Sequence, residues 1–380
     1  MNKERVSNYE LLRIVSMFFI VLYHTIHHGN IINNCTNEGL KIILEFIMLV
    51  IVVHVNSFVL VTGYFQSKSS FKQSKLWSII NANWFYKAFI VIIFAILNIE
   101  KFTTVDLFIN FFPLNLTEYW FINPYLVIYC LSPFLNKFID SLDKKTYQKL
   151  LIVLFIILSI FPYVTGNQIY PNDGFTLYNF VILYLIGAYL RRYPLKESYL
   201  FKNLSNNCFQ IFTIVVFFAC IIINYSFNRT AYSILGTNSL FDMFGYNIIN
   251  MTRAYSNPIV IIQSLAFFTL FGTLNFKSKL INRLSKLTLG VYIIHDNLYI
   301  RRNIYKWIGI DGLEVISYKY IIYAILAALI IYIGCSFIEC IRQLIFKSIS
   351  KLKISRKIKE NYYNYIRNIY IKPETQKVEN

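Results

Sequence analysis

The sequence has few of the residues that define several protein classes. It contains 13 glycines, 8 prolines and 6 cysteines in 380 residues, too few for a collagen-like repeat, a Gly/Pro-rich disordered chain or a disulfide scaffold. Charged side chains make up only 15% of the chain, whereas an ordinary soluble domain has about 25%. The apolar share is 56% and the mean hydropathy is +0.50. This composition indicates an integral membrane protein.

Long apolar runs predict an all-α fold, a polytopic membrane bundle of about ten transmembrane helices. A helix needs about 20 mostly apolar residues to cross the hydrocarbon core. Ten stretches approach that length: 11–28, 40–62, 76–98, 119–138, 147–164, 175–191, 207–226, 256–275, 285–301 and 318–341. We expect the first to be a retained helix, because no small-x-small cleavage site follows it. A short extra half-helix is expected around residues 102–112.

Basic residues predict the orientation. Lys and Arg number 37 against 19 acidic residues, a net charge of +18, and most of those outside the spans fall in alternate loops and at the termini. Basic loops face the cytoplasm, so we predict a multi-pass plasma-membrane protein with both termini cytoplasmic. The Ile, Asn, Lys and Tyr bias is typical of an AT-rich bacterial gene. The chain divides into a transmembrane region, 1–346, and a basic tail, 347–380, expected on anionic membrane lipid rather than nucleic acid.

Polar residues inside the first span give the strongest functional signal. Arg13 and His24, eleven residues apart, lie within about 20° of one helix face, and Glu10 is close enough to pair with Arg13. Charged groups in a span cost about 2.5–3.5 kcal/mol even on lenient scales, so we expect Arg13 and His24 to line one polar passage. Burial favours the neutral imidazole that a general base requires. The alternatives are a snorkelling anchor for Arg13 and a structural hydrogen bond for His24.

These residues belong to a pattern that resembles a known family. Asn8-Tyr9-Glu10-Leu11-Leu12-Arg13, ten residues and then His24 resemble the Arg-x10-His opening of the acyltransferase-3 superfamily. Three more stretches are similar to family motifs: 57–64 (SFVLVTGY), 120–126 (WFINPYL) and 290–295 (GVYIIH). The likeness runs from Asn8 to about Cys340. Glu10 departs from the more usual Asp, and Lys75 stands where an Arg-rich stretch is common.

The resemblance implies transfer of an acyl group, usually acetyl from acetyl-CoA, to a hydroxyl of an envelope, capsular or exopolysaccharide sugar or a lipid-linked oligosaccharide. His24 would be the catalytic base or a transient acyl acceptor, with Arg13 as its partner and Glu10 beside Arg13. Acyl-CoA is then a donor substrate, and no permanently bound cofactor is expected. Its phosphates could meet Arg13 and three loop lysines, which otherwise only mark the cytoplasmic side: Lys68, Lys72 and Lys75.

Four residues outside the first span are candidates for substrate binding. Tyr292 and His295 lie in the Tyr-x-x-His stretch of the resemblance. His295, with Asp296 beside it, could orient an acceptor hydroxyl or partner His24, and a structural hydrogen bond is the alternative. Trp120 and Asn123 could line an acceptor groove, although aromatic residues at span ends usually form the interface belt.

Two further groups carry weaker signals. His24, His27 and His28 have the i, i+3, i+4 spacing of metal ligands, but no carboxylate lies near them on that helix, so no metal site is predicted. In the largest outer loop, Asp242 and Arg253 could contact sugar hydroxyls.

A membrane-bound, acyl-CoA-dependent O-acyltransferase is therefore the predicted function. The alternatives are a polysaccharide flippase or polymerase, or a non-catalytic scaffold of envelope assembly, none of which needs an acyl donor. The sequence leaves open the identity of the glycan and the oligomeric state.

Overall fold

The computed structural model describes residues 6–112, 119–165, 174–236 and 239–349, so the predicted tail lies almost wholly outside the described residues. Within those ranges the chain forms helices and no strand. The helices are α1 Ser7–His28, α2 Glu38–Ile51, α3 His54–Gln66, α4 Gln73–Ile96, α5 Thr104–Phe111, α6 Ile122–Asp140, α7 Lys144–Phe155, α8 Phe161–Thr165, α9 Leu177–Arg192, α10 Asn206–Ile234, α11 Ser239–Met251, α12 Pro258–Thr273, α13 Lys279–Leu284, α14 Thr288–His295, α15 Leu298–Trp307 and α16 Lys319–Ile349.

Six helical segments in the described ranges are long and apolar enough to cross a membrane. They are Ser7–His28, Glu38–Gln66, Gln73–Ile96, Lys144–Thr165, Asn206–Ile234 and Lys319–Ile349. Each coincides with one of the ten predicted spans. The other four predicted spans are shorter or less apolar helices, among them α9 and α12. The all-helical class is confirmed, whereas the count of about ten stays a prediction.

Helix α1 lies at the centre of the bundle, where it packs against α3, α12, α14 and α16. More than half of α1 is buried, while α10 and α16 expose much of their apolar surface. In a membrane protein that exposed surface faces lipid, so the outer helices need no polar stripe. Several polar side chains of α1, among them Glu10, Ser16 and Thr25, are therefore enclosed by other helices.

The second predicted span, 40–62, is two helices rather than one. Helix α2 ends where the Val52 N–H donates to Met48 O (3.1 Å), and α3 begins two residues later at His54. Helix α3 then approaches α9 very closely, because an added Cβ at Gly63 would lie 2.2 Å from Tyr184 O and one at Gly187 would lie 2.3 Å from Leu60 O. Small residues at such contacts let membrane helices pack backbone to backbone.

The ninth predicted span, 285–301, is also not one continuous helix. Helix α14 ends at His295, and Asn297 caps α15 by accepting from the Tyr299 N–H (3.1 Å). The Asn297 amide donates to Tyr119 Oη (3.1 Å), and Tyr119 Oη donates to Ile293 O (2.8 Å). This anchored break leaves His295 and Asp296 at a helix end inside the bundle.

The half-helix expected around residues 102–112 is present as α5. Thr103 begins it with a capping box, since its hydroxyl accepts from the Asp106 N–H while Asp106 Oδ2 accepts from the Thr103 N–H (2.9 Å). Hydrogen bonds from Thr103 lower the pKa of the Asp106 carboxyl, which lies outside the membrane-crossing helices.

A buried carboxylate that was not among the predicted site residues joins α16 to α4 through a hydrogen bond. Glu339 is 2% exposed and accepts from Tyr86 Oη (2.6 Å), Arg342 Nε (2.8 Å) and Gln343 Nε2 (2.7 Å). A buried carboxylate is stable only when paired and hydrogen-bonded. The Tyr86 bond ties α16 to α4, while the Arg342 and Gln343 bonds lie within α16.

Candidate active site

The cationic end of α1 carries the predicted ion pair. Arg13 Nη1 lies 2.9 Å from Glu10 Oε1, one helical turn away. The Glu10 side chain is 6% exposed and that of Arg13 is 27% exposed. Because Glu10 holds one guanidinium nitrogen, the remaining donors of Arg13 stay available to a ligand in the neighbouring space.

That space is a first cavity of about 310 Å³, a volume typical of ligand sites. Three basic residues line it: Arg13, Lys75 and Lys286. Of the three loop lysines predicted to meet CoA phosphates, only Lys75 lines the cavity, and Lys68 and Lys72 do not. Lys286 was missed as a site residue, because in sequence it is one more basic residue of a cytoplasmic loop.

A second cavity, of about 350 Å³, contains His24 near the other end of α1. His24 Nδ1 lies 3.1 Å from His295 Nε2, so the two predicted histidines meet although 271 residues separate them. The His24 side chain is 13% exposed, and His295 is fully buried. One imidazole therefore faces the cavity and the other supports it from behind.

The hydrogen bonds of His295 determine the tautomers of both neutral rings. His295 Nδ1 lies 2.6 Å from Val291 O, and a carbonyl oxygen only accepts, so the His295 proton is on Nδ1. His295 Nε2 is then an acceptor and takes the hydrogen bond from His24 Nδ1. His24 thus keeps its lone pair on Nε2, the arrangement that a general base needs.

Asp296 completes the surroundings of His24. Its Oδ1 lies 3.6 Å from His24 Nδ1 and accepts from Arg301 Nη1 at 3.0 Å. The carboxylate is almost fully buried, whereas the Arg301 side chain is 30% exposed. A carboxylate at this position stabilises positive charge that develops on His24. Arg301 was not predicted, since the pair depends on the turn that Asn297 makes between α14 and α15.

Aromatic rings form one wall of the second cavity. Trp120 stacks on Tyr255 with 5.6 Å between ring centroids and 15° between planes, and Phe175 meets Trp120 edge-on at 4.4 Å. All three line the cavity. Trp120 was a predicted site residue, whereas Phe175 and Tyr255 come from connecting segments that lack a motif.

The remaining predicted residues divide between the two cavities and their surroundings. Tyr292 lines the first cavity, and Asn123, in the first turn of α6, lines neither. Arg253 lines the second cavity, but Asp242 does not and instead accepts from the Gly236 N–H. Of the predicted residues, Trp120 and Arg253 thus line the second cavity, whereas His295 is buried behind His24 and does not line it.

The single passage expected along α1 is two neighbouring cavities, one with Arg13 and one with His24. Phe121 lines the first cavity and the preceding Trp120 lines the second. The ring of Tyr292, also in the first, lies 5.8 Å from that of Phe121 and 6.1 Å from that of His295. Arg13 and His24 therefore line different cavities, and the rings of Phe121 and Tyr292 lie where the first cavity approaches His295.

A cluster of possible metal ligands occurs at His24, His28 and Asp296, whose ligand atoms lie within 4.8 Å of one another. The carboxylate near these histidines comes from Asp296, at the end of α14, rather than from α1. The guanidinium of Arg301 already bonds Asp296 Oδ1. A cation at this oxygen would face a fixed positive charge, so the donor set fits a divalent metal poorly.

The fold and the cavities define a multi-pass helical membrane protein with a cationic site and a histidine site at opposite ends of one central helix. The family model described as "Acyltransferase domain" matches residues 6–340. The chain belongs to this acyltransferase-3 family, which confirms the resemblance drawn from its motifs. Comparisons with curated proteins and with solved structures found no significant match.

Proposed function

We propose that the protein transfers an acyl group, in the simplest case acetyl, from acyl-CoA to a hydroxyl of an envelope or capsular/exopolysaccharide sugar or of its lipid-linked precursor. Family membership supports acyl transfer. The observation that carries the proposal is the hydrogen-bond chain from Val291 through His295 to His24. It leaves a basic nitrogen at a cavity that could admit a sugar. We place the protein in the bacterial plasma membrane with both termini cytoplasmic.

The first cavity suits the donor. Coenzyme A carries several phosphates, and Arg13, Lys75 and Lys286 are strong partners for them. Much of the remaining lining is apolar, which suits an acyl chain and the methylene groups of the pantetheine arm. Glu10 orients Arg13 through the 2.9 Å ion pair. The thioester then extends past Phe121 and Tyr292 toward His24, while the glycan occupies the second cavity from the other side.

The reaction follows from the tautomer of His24. His24 Nε2 takes the proton of the acceptor hydroxyl as its oxygen bonds to the thioester carbonyl carbon. The resulting tetrahedral oxyanion collapses, the C–S bond breaks, and the coenzyme A sulfur takes the proton from the His24 imidazolium. His295 and Asp296 support the imidazolium meanwhile. A positioned base contributes about 10²–10⁴-fold to such a step.

A second version makes His24 a transient acyl acceptor. Nε2 then attacks the thioester itself, coenzyme A leaves, and the sugar hydroxyl attacks the acyl-imidazole. The two versions differ in one observable, because only the second releases a stoichiometric burst of coenzyme A from acetyl-CoA before any acceptor is added.

The test compares envelope glycans from cells that carry the wild-type gene, no gene, or His24→Ala. We expect an acetyl-sized mass on the glycan with wild type only, and equal glycan export in all three strains. Export that fails in His24→Ala favours the flippase or polymerase alternative. An acetyl mass that persists in His24→Ala, at matched membrane abundance of the variant, overturns the assignment of His24.

A further inference from the structure

The charge of the second cavity is unbalanced. Its basic lining residues are Arg253 and Arg301, and Asp296 is the one acidic residue among the described residues that line it. That carboxylate already bonds Arg301. With the histidines neutral, the lining carries one more positive than negative charge.

Arg253 is the residue that supplies the excess. It lies in the turn between α11 and α12, is exposed, and has no carboxylate within ion-pair distance in the part of the chain that the structure describes. Arg301 uses one nitrogen for Asp296, and a guanidinium has five N–H donors in a fixed fork. Both arginines can therefore still donate into the cavity.

The aromatic side chains of the second cavity indicate which kind of anionic molecule fits beside the two arginines. The rings of Trp120, Phe175 and Tyr255 offer flat apolar surface beside the arginines, a combination that fits the C–H face of a sugar next to an ionised substituent. An isolated inorganic anion would make no use of this wall.

We propose that the acceptor is an acidic glycan, with a carboxylate or phosphate substituent that Arg253 binds while a nearby hydroxyl faces His24. This inference rests on the proposed function and narrows its acceptor to one chemical class. The anion would be a hexuronate carboxylate or a sugar phosphate, since both accept the paired N–H donors of a guanidinium.

The test measures equilibrium binding to the full chain in phosphatidylcholine nanodiscs at low ionic strength. The probes are a hexuronate tetrasaccharide, the same tetrasaccharide with its carboxylates reduced to alcohols, glucose 1-phosphate, and sn-glycerol 3-phosphate as a lipid-headgroup fragment. We expect an acidic sugar to bind at least about tenfold more tightly than the neutral tetrasaccharide, equivalent to about 1.4 kcal/mol. If the hexuronate tetrasaccharide binds more tightly than glucose 1-phosphate, the preferred anion is a carboxylate; the reverse order indicates a phosphate.

Two arginine substitutions test whether Arg253 causes the preference for acidic over neutral sugars. Arg253→Gln should reduce the charge preference to less than about threefold, whereas Arg302→Gln, also on the outer surface but outside the cavity lining, should retain it. The preference should also weaken as salt is added.

Three results would overturn the inference: neutral and acidic sugars that bind equally or not at all, a preference that survives Arg253→Gln, or glycerol 3-phosphate that binds as tightly as the acidic sugars. Binding needs no acyl donor, so failure here leaves acyl transfer to a neutral glycan intact. Conversely, if the protein prefers acidic sugars but transfers no acyl group, the result counts against the proposed function and not against this inference.

Discussion

His24 and His295 face each other with 3.1 Å between Nδ1 and Nε2, and the carbonyl oxygen of Val291, 2.6 Å behind His295, dictates which nitrogen of each neutral ring carries the proton. The relationship joins the central helix α1 to the broken helix α14. His24 Nδ1–H donates to His295 Nε2, and His295 Nδ1–H donates to Val291 O. His24 Nε2 is left as the acceptor nitrogen.

Replacing His295 tests this chain. His295→Ala removes the acceptor that fixes the His24 tautomer, and we expect kcat to fall by about 10²–10⁴-fold, the range over which a correctly positioned base contributes. The side-chain oxygen of His295→Gln can still accept from His24 Nδ1, so this variant should recover about a tenth of the wild-type rate. The KM for acyl-CoA should stay unchanged in both. Equal losses in the two variants would indicate a merely structural role.

The first cavity makes a separate prediction about the donor. Lys75→Gln and Lys286→Gln should each raise the KM for acyl-CoA about tenfold, because a hydrogen bond to a charged group contributes about 1.5–3 kcal/mol and exposure reduces it. Lys68→Gln is the control. Lys68 lies just before α4, the helix that contains Lys75, but it does not line the cavity. Initial rates at varied acyl-CoA measure the effect. A similar rise for all three lysines would point to general charge rather than to this cavity.

The contact between α3 and α9 predicts a stability effect independent of catalysis. Gly187→Ala places a methyl group 2.3 Å from Leu60 O, and such overpacking costs about 1–3 kcal/mol. Gly334→Ala in α16, where nothing lies within 4 Å, should be neutral or slightly stabilising, because Ala favours a helix over Gly. Thermal unfolding in one detergent compares them. An unchanged melting temperature for Gly187→Ala would contradict the close approach.

The His24, His28 and Asp296 cluster predicts an outcome for metal removal. Because Arg301 bonds Asp296 Oδ1, we expect acyl transfer to be unchanged after incubation with EDTA or 1,10-phenanthroline. A zinc-dependent hydrolase treated in parallel confirms that the chelators act. Activity that disappears with chelator and returns with added Zn²⁺ would assign the cluster to a metal instead.

Local patterns predicted the features that depend on a single helix. The i, i+3 spacing of Glu10 and Arg13 gave their ion pair, and the length and hydropathy of residues 11–28 gave α1. The break at Val52–Val53 has no local signal, since both residues are apolar. The break at Asn297 depends on a side-chain bond to Tyr119, far away in the sequence.

Features that join distant segments could be predicted only as possibilities. The sequence identified His24 and His295 separately, but their contact depends on how α14 packs against α1. The boundary between the cavities depends likewise on Phe121 and Tyr292, whose rings meet only in the folded bundle. Membrane helices of similar hydropathy can pack in many orders, which is why hydropathy alone does not fix these contacts.

The most direct test of the account separates donor and acceptor by the membrane. Full-length protein is reconstituted in vesicles of one orientation, with labelled acetyl-CoA only on the Arg13 side and a glycan acceptor only on the His24 side. The account predicts labelled acetyl on the glycan with wild type and about 10²–10⁴-fold less with His24→Ala. Transfer that occurs only when both substrates share one side, or that continues in His24→Ala, would contradict it.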